Sequence, residues 1–211
     1  KRYLEKINIS SKNDKEKDYY YILDEIGLLS EVQMNSYEFH IWGSNASNKN
    51  KPNMMVFDLD PDKSLSLDKL RLGVKYLKEI LDNLNLKSFL KTSGGKGYHI
   101  CIPFKNNLTW KKFYKISEDI ANIIENTHSE LFTTNNRKEK RKNKIFIDYL
   151  RNQKSATFVA PYSVRLRKNA PVSMPIAWNE LDKIKPNEIT IYKAIKRLKK
   201  KDPWKDFFTS N

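Results

Sequence analysis

Inside one short apolar run, Val56-Phe57-Asp58-Leu59-Asp60-Pro61, two carboxylates stand two residues apart. Built as a β-strand, the run sends Phe57 and Leu59 to one face and Asp58 and Asp60 to the other. The apolar face then needs a hydrophobic cover. The acidic face needs cations, because neighbouring carboxylates repel and raise each other's pKa. Pro61, with no N–H for a ladder bond, closes the strand. A chain carrying this segment is expected to fold as a sheet packed against helices. The competing local reading is a turn in which Asp60-Pro61-Asp62 bonds its own backbone.

Composition points to one compact domain and an anionic partner. The 211 residues include 40 Lys plus Arg against 25 Asp plus Glu, a formal charge of +15, and 39% are hydrophobic, enough for one core. Such a balance attracts polyanions, and nucleic acid outranks a membrane because no basic amphipathic helix stands alone. The single cysteine, Cys101, excludes an intrachain disulfide framework, and no Cys/His cluster suggests zinc, so a reducing intracellular compartment is expected. No stretch reaches the roughly 18 to 20 apolar residues of a membrane span, and Lys1 to Ser10 lacks the apolar centre of a signal peptide. Without an initiator Met, and opening on Tyr3-Leu4 and Ile7-Asn8-Ile9, the chain reads as part of a longer polypeptide.

Periodicity orders the elements. Residues 11–18 are polar and read as a loop before a strand over Tyr19 to Leu23. Ile26, Leu29 and Val32 predict a helix over Asp24 to Met34. Tyr37, Phe39 and Ile41 then alternate with Glu38 and His40 as in a strand, which turns His40 away from those apolar residues. After the strand at Met54 to Asp60, Ser66 caps a helix with Leu67, Leu70, Val74, Leu77, Leu81 and Leu84 on one stripe. Ser88 to Lys91 and Tyr98 to Phe104 form a hairpin about a glycine-rich turn. Thr109 caps a second amphipathic helix, with Trp110, Phe113, Ile116, Ile120, Ile123 and Ile124 on the same sheet. Residues 135–144 form an exposed basic loop, followed by strands at Ile145 to Tyr149 and Thr157 to Val164. Ile189, Tyr192, Ile195 and Leu198 mark a C-terminal helix, with Lys199-Lys200-Lys201 in its last turn at the negative end of its dipole.

Asp148 ends the apolar strand Ile145-Phe146-Ile147 and is a third strand-borne acid in a basic chain. Three such acids can cage two Mg²⁺ or Mn²⁺ ions, hard cations that take oxygen ligands; a solvated strand end is the alternative. Ser93-Gly94-Gly95-Lys96-Gly97 offers backbone amides, a hydroxyl and an ammonium, equipment for holding phosphates. It lacks Walker spacing, and a plain hairpin turn reads equally well. For His40 or His99 taken alone, a satisfied structural histidine is the ordinary reading.

Four segments, Phe57-Asp58-Leu59-Asp60-Pro61, Ser93-Gly94-Gly95-Lys96-Gly97-Tyr98-His99, Phe146-Ile147-Asp148-Tyr149 and Ala160-Pro161-Tyr162-Ser163-Val164-Arg165, occur in a familiar order. It is the order found in the polymerase domain of bacterial ligase D, of the archaeo-eukaryotic primase superfamily, which the chain resembles from about Tyr19 to Phe208. Tyr37-Glu38-Phe39-His40-Ile41-Trp42 is similar to that family's Glu-Leu-His-Pro-Trp element, and Trp178-Asn179-Glu180-Leu181 to its C-terminal segment. The resemblance implies an α/β (α+β) primase-like fold, a central antiparallel catalytic sheet flanked by helices, as one domain over residues 1–211. It implies that Asp58, Asp60 and Asp148 bind two Mn²⁺ or Mg²⁺ ions. His40, Ser93, Lys96 and Arg165 would contact a nucleoside triphosphate, with His99 at the motif's second polar position. Arg141 would approach DNA, in agreement with the basic loop that also holds Arg137 and Lys138. Two departures stand out. Leu150-Arg151-Asn152 replaces the Ser-Gln-Asn of many relatives, so Arg151 takes the place of a glutamine contact. The family's N-terminal segment, which serves the 5'-phosphate of a break, is largely missing before Lys1, so break-end recognition is expected to be absent from this chain.

The function implied is template-directed nucleotide addition. A primer 3'-hydroxyl attacks the α-phosphorus and pyrophosphate leaves, with two ions about 3.5 to 4 Å apart stabilising both oxygens. By resemblance the setting is double-strand break repair by end joining in the bacterial cytoplasm, at the nucleoid and away from membranes. The resemblance also implies that ribonucleotides are accepted readily. The implied partners are gapped or broken DNA, ligase and nuclease modules, and Ku. Three rivals remain at this stage. A primase that starts chains unaided would read the same. A haloacid-dehalogenase-type phosphatase shares the apolar strand with Asp-x-Asp but needs a small residue or Thr where this chain has Pro61-Asp62-Lys63. A non-catalytic nucleic-acid-binding module explains the charge and leaves the three acids without purpose.

Overall fold

The computed structural model describes residues 4–10, 16–105 and 107–210. A hairpin of β1 (Leu4–Ser10) and β2 (Glu16–Ile22) leads into α1 (Glu25–Gln33), capped by Asp24. The strand thus begins inside the stretch read as a loop, of which residues 11–15 lie outside the described residues. In α1 the periodic Ile26, Leu29 and Val32 are 49%, 66% and 43% exposed, so helical spacing here does not mark a buried stripe. β3 (His40–Trp42) pairs only with β9 (Thr157–Val159) in a separate two-stranded sheet.

Between those two strands in sequence lie β4 (Met54–Pro61), α2 (Leu67–Asn83), β5 (Phe89–Thr92), β6 (Tyr98–Pro103), α3 (Trp110–Thr127), β7 (Phe132–Thr133) and β8 (Ile145–Asp148). β10 (Pro175–Ile176) and α4 (Ile191–Arg197) follow β9. The main sheet runs β10-β5-β6-β4-β8-β7 and is antiparallel except for its β7–β8 edge. Ser66 and Thr109 cap α2 and α3 as expected, each accepting a hydrogen bond from the backbone three residues on. These helices bury Leu70, Val74, Leu77, Leu81, Phe113, Ile120 and Ile124 against one sheet face, where β4 contributes Met55, Phe57 and Leu59. The opposite face is apolar only at one end. There Val56, Cys101 and Phe89 stand beside one another across the strands and are covered by Phe158, Trp204 and Phe207.

The structure corrects the C-terminal part of the reading. The strand expected over Thr157 to Val164 stops at Val159. Pro161 offers no N–H, and Tyr162 takes φ +66, which turns the chain. The C-terminal helix is seven residues long; Tyr192, Ile195 and Leu198 are 82%, 54% and 63% exposed, and Lys199 to Lys201 fall beyond its last turn. Ile189 and Ala194 alone of this segment join the main core.

One polar side chain completes the central ladder. β8 pairs β4 only from Asp58 to Pro61, and Asn152, 1% exposed, takes over at Val56. Its Oδ1 accepts from the Val56 N–H at 2.8 Å and its Nδ2 donates to the Val56 carbonyl at 2.8 Å. Asn152→Ala would leave both backbone groups buried and unpaired. It is expected to lower unfolding free energy by about 2 to 4 kcal/mol in urea titration, without changing the slope against urea.

Candidate active site

The polar face begins one pleat beyond Val56. Lys91, His99, Asp58 and Asp148 lie side by side on β5, β6, β4 and β8, each aligned with the next. Asp60, the following residue on this face of β4, is aligned with Phe146. The two acids of β4 therefore share a face as the sequence predicts, and Asp148 joins Asp58 from the neighbouring strand.

Each carboxylate already has a cation or donor. His99 is 2% exposed, with Nε2 3.4 Å from Asp58 Oδ1, while its buried Nδ1 has no hydrogen-bond partner among the described residues. Burial and the Lys91 ammonium lower the pKa of His99. Burial pushes Asp58 up, but His99, Lys91 and Arg151 together leave it below the usual carboxylate value. Asp148 Oδ1 accepts from the Leu150 N–H at 3.1 Å, and Oδ2 lies 2.9 Å from Arg151 Nε. Lys96 Nζ and Arg141 Nη1 stand 3.8 and 3.9 Å from the two oxygens of Asp60. Burial and the charge of Asp58 still raise Asp60, and burial raises Asp148 despite Arg151.

Those upward shifts come partly from Asp58, so the three carboxylates feel one another. Among the described residues no three acids, histidines or cysteines are already drawn around one point. The donor set nevertheless fits a hard divalent ion, since it offers only carboxylate oxygens, on rigid strands, crowded enough to gain from added positive charge.

The glycine turn is more committed than its composition suggests. Ser93 Oγ accepts from the Gly95 and Gly97 N–H groups at 3.0 and 3.3 Å, and the Gly94 N–H donates to the Pro186 carbonyl. Within the turn only Lys96 is exposed. Gly94 has φ +66, and a Cβ on Gly97 would stand 1.8 Å from the Leu59 carbonyl oxygen. Glycine at 97 thus lets the turn lie directly on β4, which brings Lys96 to Asp60. The Arg167 guanidinium lies over Gly95, its Cζ 3.5 Å from where a Cβ would be, and adds a positive charge near Asp60.

His40, its side chain 42% exposed, sits on β3 with Nε2 2.9 Å from Glu38 Oε1. Arg165 lies 3.0 Å from the same oxygen and donates to the Ser93 carbonyl at 2.7 Å. Of the basic loop, Arg137 and Lys138 are exposed, whereas Arg141 turns inward. Its guanidinium stacks 3.6 Å from the Phe146 ring centroid and bonds the Asn135 and Asn136 carbonyls. The structure therefore gathers Asp58, Asp60, Asp148, Ser93, Lys96, His99, Arg141 and Arg165, joins His40 through Glu38, and leaves Arg137 and Lys138 at the rim.

Four residues were not assigned to the site by the sequence reading. Glu38 stood inside a quoted segment without a role, Asn152 sat in one beside Arg151, and Arg167 lay just past the segment that ends at Arg165. Lys91 is 0% exposed, with Nζ donating to Ser173 Oγ at 2.5 Å. Its only signal was an uncompensated lysine in a short apolar strand, and nothing in the sequence says which face that strand buries.

The sheet and its acidic face are those of a primase-type nucleotidyltransferase. The chain belongs to the LigD primase-polymerase domain family, whose model matches residues 1–204. It is 36% identical over 184 residues to the multifunctional non-homologous end joining protein LigD of Pseudomonas aeruginosa, covering 85% of this chain and 22% of that protein. To the bifunctional non-homologous end joining protein LigD of Bacillus subtilis it is 32% identical over 177 residues, covering 81% of this chain and 28% of that one. It thus spans about a quarter of the length of these relatives. The fold matches that of the polymerase domain from Mycobacterium tuberculosis ligase D in complex with DNA, with a TM-score of 0.87 and 24% identity over 98% of this chain and 75% of that one. Family membership overturns the phosphatase reading of Asp58 and Asp60.

Burial pushes the Lys91 ammonium down to about 8 from an ordinary 10.5. The folded protein therefore holds this proton less tightly than the unfolded chain, and the resulting cost is full below pH 8 and relieved between pH 8 and 10.5. Lys91→Met is expected to be more stable than the parent at pH 7, and the difference should shrink by about 2 to 3 kcal/mol toward pH 10.5. Urea unfolding of both proteins at the two pH values checks this.

Proposed function

We propose that the chain is a template-directed polymerase that adds nucleotides to primer 3' ends during repair of DNA breaks by non-homologous end joining. The alignment of Asp58 with Asp148 across β4 and β8, with Asp60 next on the same face, carries this reading. These three carboxylates would hold two Mn²⁺ or Mg²⁺ ions, which when bound supply positive charge at the reacting oxygens. Lys96 and Arg165, with Arg167 beside them, would neutralise a triphosphate, and His40 and His99 would orient it. The Ser93 hydroxyl, with its oxygen held by the turn, keeps its hydrogen to donate. Covered by α2 and α3 from behind, the strands keep these groups still, so that positioning and charge carry the catalysis. His99, Lys91 and Arg151 beside Asp58 would favour the ionised carboxylate that an ion needs. Arg141 would face the DNA from its place on Phe146, and Arg137 and Lys138 would grip phosphates farther out.

In this reading the chain acts as one polymerase unit, with ligase and nuclease modules of a longer protein and Ku as partners, in the bacterial cytoplasm at the nucleoid. The decisive experiment is primer extension on gapped DNA with and without Mn²⁺, offering ribo- and deoxyribonucleotides, with a primer-free control. Extension that needs both primer and Mn²⁺ supports the end-joining polymerase. Product from the primer-free control moves the reading to a primase that starts chains, and DNA binding without any synthesis moves it to a binding module.

Asp58→Ala and Asp148→Ala are each expected to abolish nucleotide addition while DNA affinity stays near the parent's, because these acids repel phosphates. Loss of DNA binding in step with activity, or full activity of Asp148→Ala, would sink the metal assignment. Changing Arg137, Lys138 and Arg141 together to Ala is expected to flatten the slope of log affinity against log salt by up to about 0.9 per lost phosphate contact on duplex DNA. Superimposable salt lines on a recessed-end duplex would show that the loop is only solvated charge.

A further inference from the structure

Glu38 brings together groups that the chain keeps far apart. Its Oε1 lies 2.9 Å from His40 Nε2 and 3.0 Å from Arg165 Nε, and its Oε2 accepts from the Leu166 N–H at 3.0 Å. One carboxylate thus joins the start of β3 to a segment more than 120 residues later. Its side chain is 26% exposed. Burial alone would raise its pKa, yet the His40 ring, the Leu166 N–H and the adjacent Arg165 charge hold it down at about 2, so the charge persists at any working pH.

We infer that Glu38 is a positioning residue of the nucleotide site, a clamp that fixes the His40 ring and the Arg165 guanidinium relative to each other and to the glycine turn. The inference rests on the reading that His40 and Arg165 contact the triphosphate. His40 needs such a clamp because β3 is three residues long and the side chain is 42% exposed. With Nε2–H directed at Glu38, the ring turns its Nδ1 edge to an incoming group. Arg165 is held at two points, Nε beside Glu38 and Nη1 on the Ser93 carbonyl, so its guanidinium plane is set by the strand side and the turn side at once. The Leu166 bond fixes the backbone that carries Arg165. Without the carboxylate, the His40 ring and the Arg165 guanidinium would lose the group they share, and each would have to be ordered again by the nucleotide on binding.

The test is steady-state primer extension with Mn²⁺ and a ribonucleoside triphosphate, comparing the parent with Glu38→Gln, Glu38→Asp, His40→Ala and Arg165→Ala, together with Glu38→Gln in the Arg165→Ala background. Glu38→Gln keeps the shape and removes the charge. It is expected to raise the nucleotide KM about tenfold, with kcat falling less than threefold and primer-template affinity unchanged. A general loosening of the fold would instead move primer binding and the thermal midpoint as well. In the Arg165→Ala background the same change should cost much less, since one of the two groups being positioned is gone. Glu38→Asp, charged but one methylene short of its partners, should fall between parent and Glu38→Gln, and it serves equally if Glu38→Gln does not fold. An unchanged or lower KM in the Glu38 variants, with KM raised in His40→Ala and Arg165→Ala, would overturn the clamp and leave the nucleotide site standing. If neither His40→Ala nor Arg165→Ala raises KM, the site assignment itself fails and the clamp with it.

Discussion

The alignment of β4 between β6 and β8 is the constraint on which the site depends. With Asp58 level with His99 on one side and Asp148 on the other, every second residue of three strands reaches the same face. A slip of one residue would send Asp58 and Asp60 into the layer of α2 and α3 and turn Phe57 and Leu59 toward solvent, so the hydrophobic core and the acidic face enforce one register together. Asn152 extends that enforcement past the end of β8 by bonding both backbone groups of Val56. Gly97 extends it to the turn, because only a residue without a side chain can lie against the Leu59 carbonyl.

Charge is managed within the same frame. A chain with a net charge of +15 places its acids where cations already wait. Arg151 meets Asp148, while Lys96 and Arg141 stand near Asp60. Burial beside Lys91 lowers the pKa of His99, and the Lys91 ammonium itself donates to Ser173 Oγ. These pairs differ in closeness, loose at Asp60 and tight at Asp148, where Arg151 stands 2.9 Å away. The distances near 4 Å at Asp60 contrast with the 2.5 Å contact at Lys91 in that way. Arg151 is a separate case. It stands where many relatives are expected to carry glutamine, and its bond to Asp148 gives that position an electrostatic role which an uncharged amide lacks.

Much of the architecture was legible because it rests on local rules. Alternation along Val56 to Asp60 placed the acids on one face, Ser66 and Thr109 marked the starts of both covering helices, and the glycine run marked the hairpin between β5 and β6. The same rules failed where burial is decided by something distant. Ile26, Leu29 and Val32 have helical spacing yet stay exposed, and so do Tyr192 and Ile195 on the seven-residue C-terminal helix and Leu198 at its end. The strand from Thr157 stops early because Pro161 and the positive φ of Tyr162 turn the chain, a break that alternation alone does not reveal.

The sequence by itself determined the chemistry available: three strand-borne carboxylates, a lysine on a glycine turn, and an excess of positive charge for a polyanion. Periodicity and residue type are local properties, so they survive without a structure. Tertiary structure alone decided which distant groups meet, because pairing between strands and packing between segments are set by the whole core. It put Asp148 level with Asp58, buried Lys91 at the far end of the same row, folded Arg141 inward onto Phe146, and brought Glu38 and Arg165 within 3.0 Å across more than 120 residues of chain.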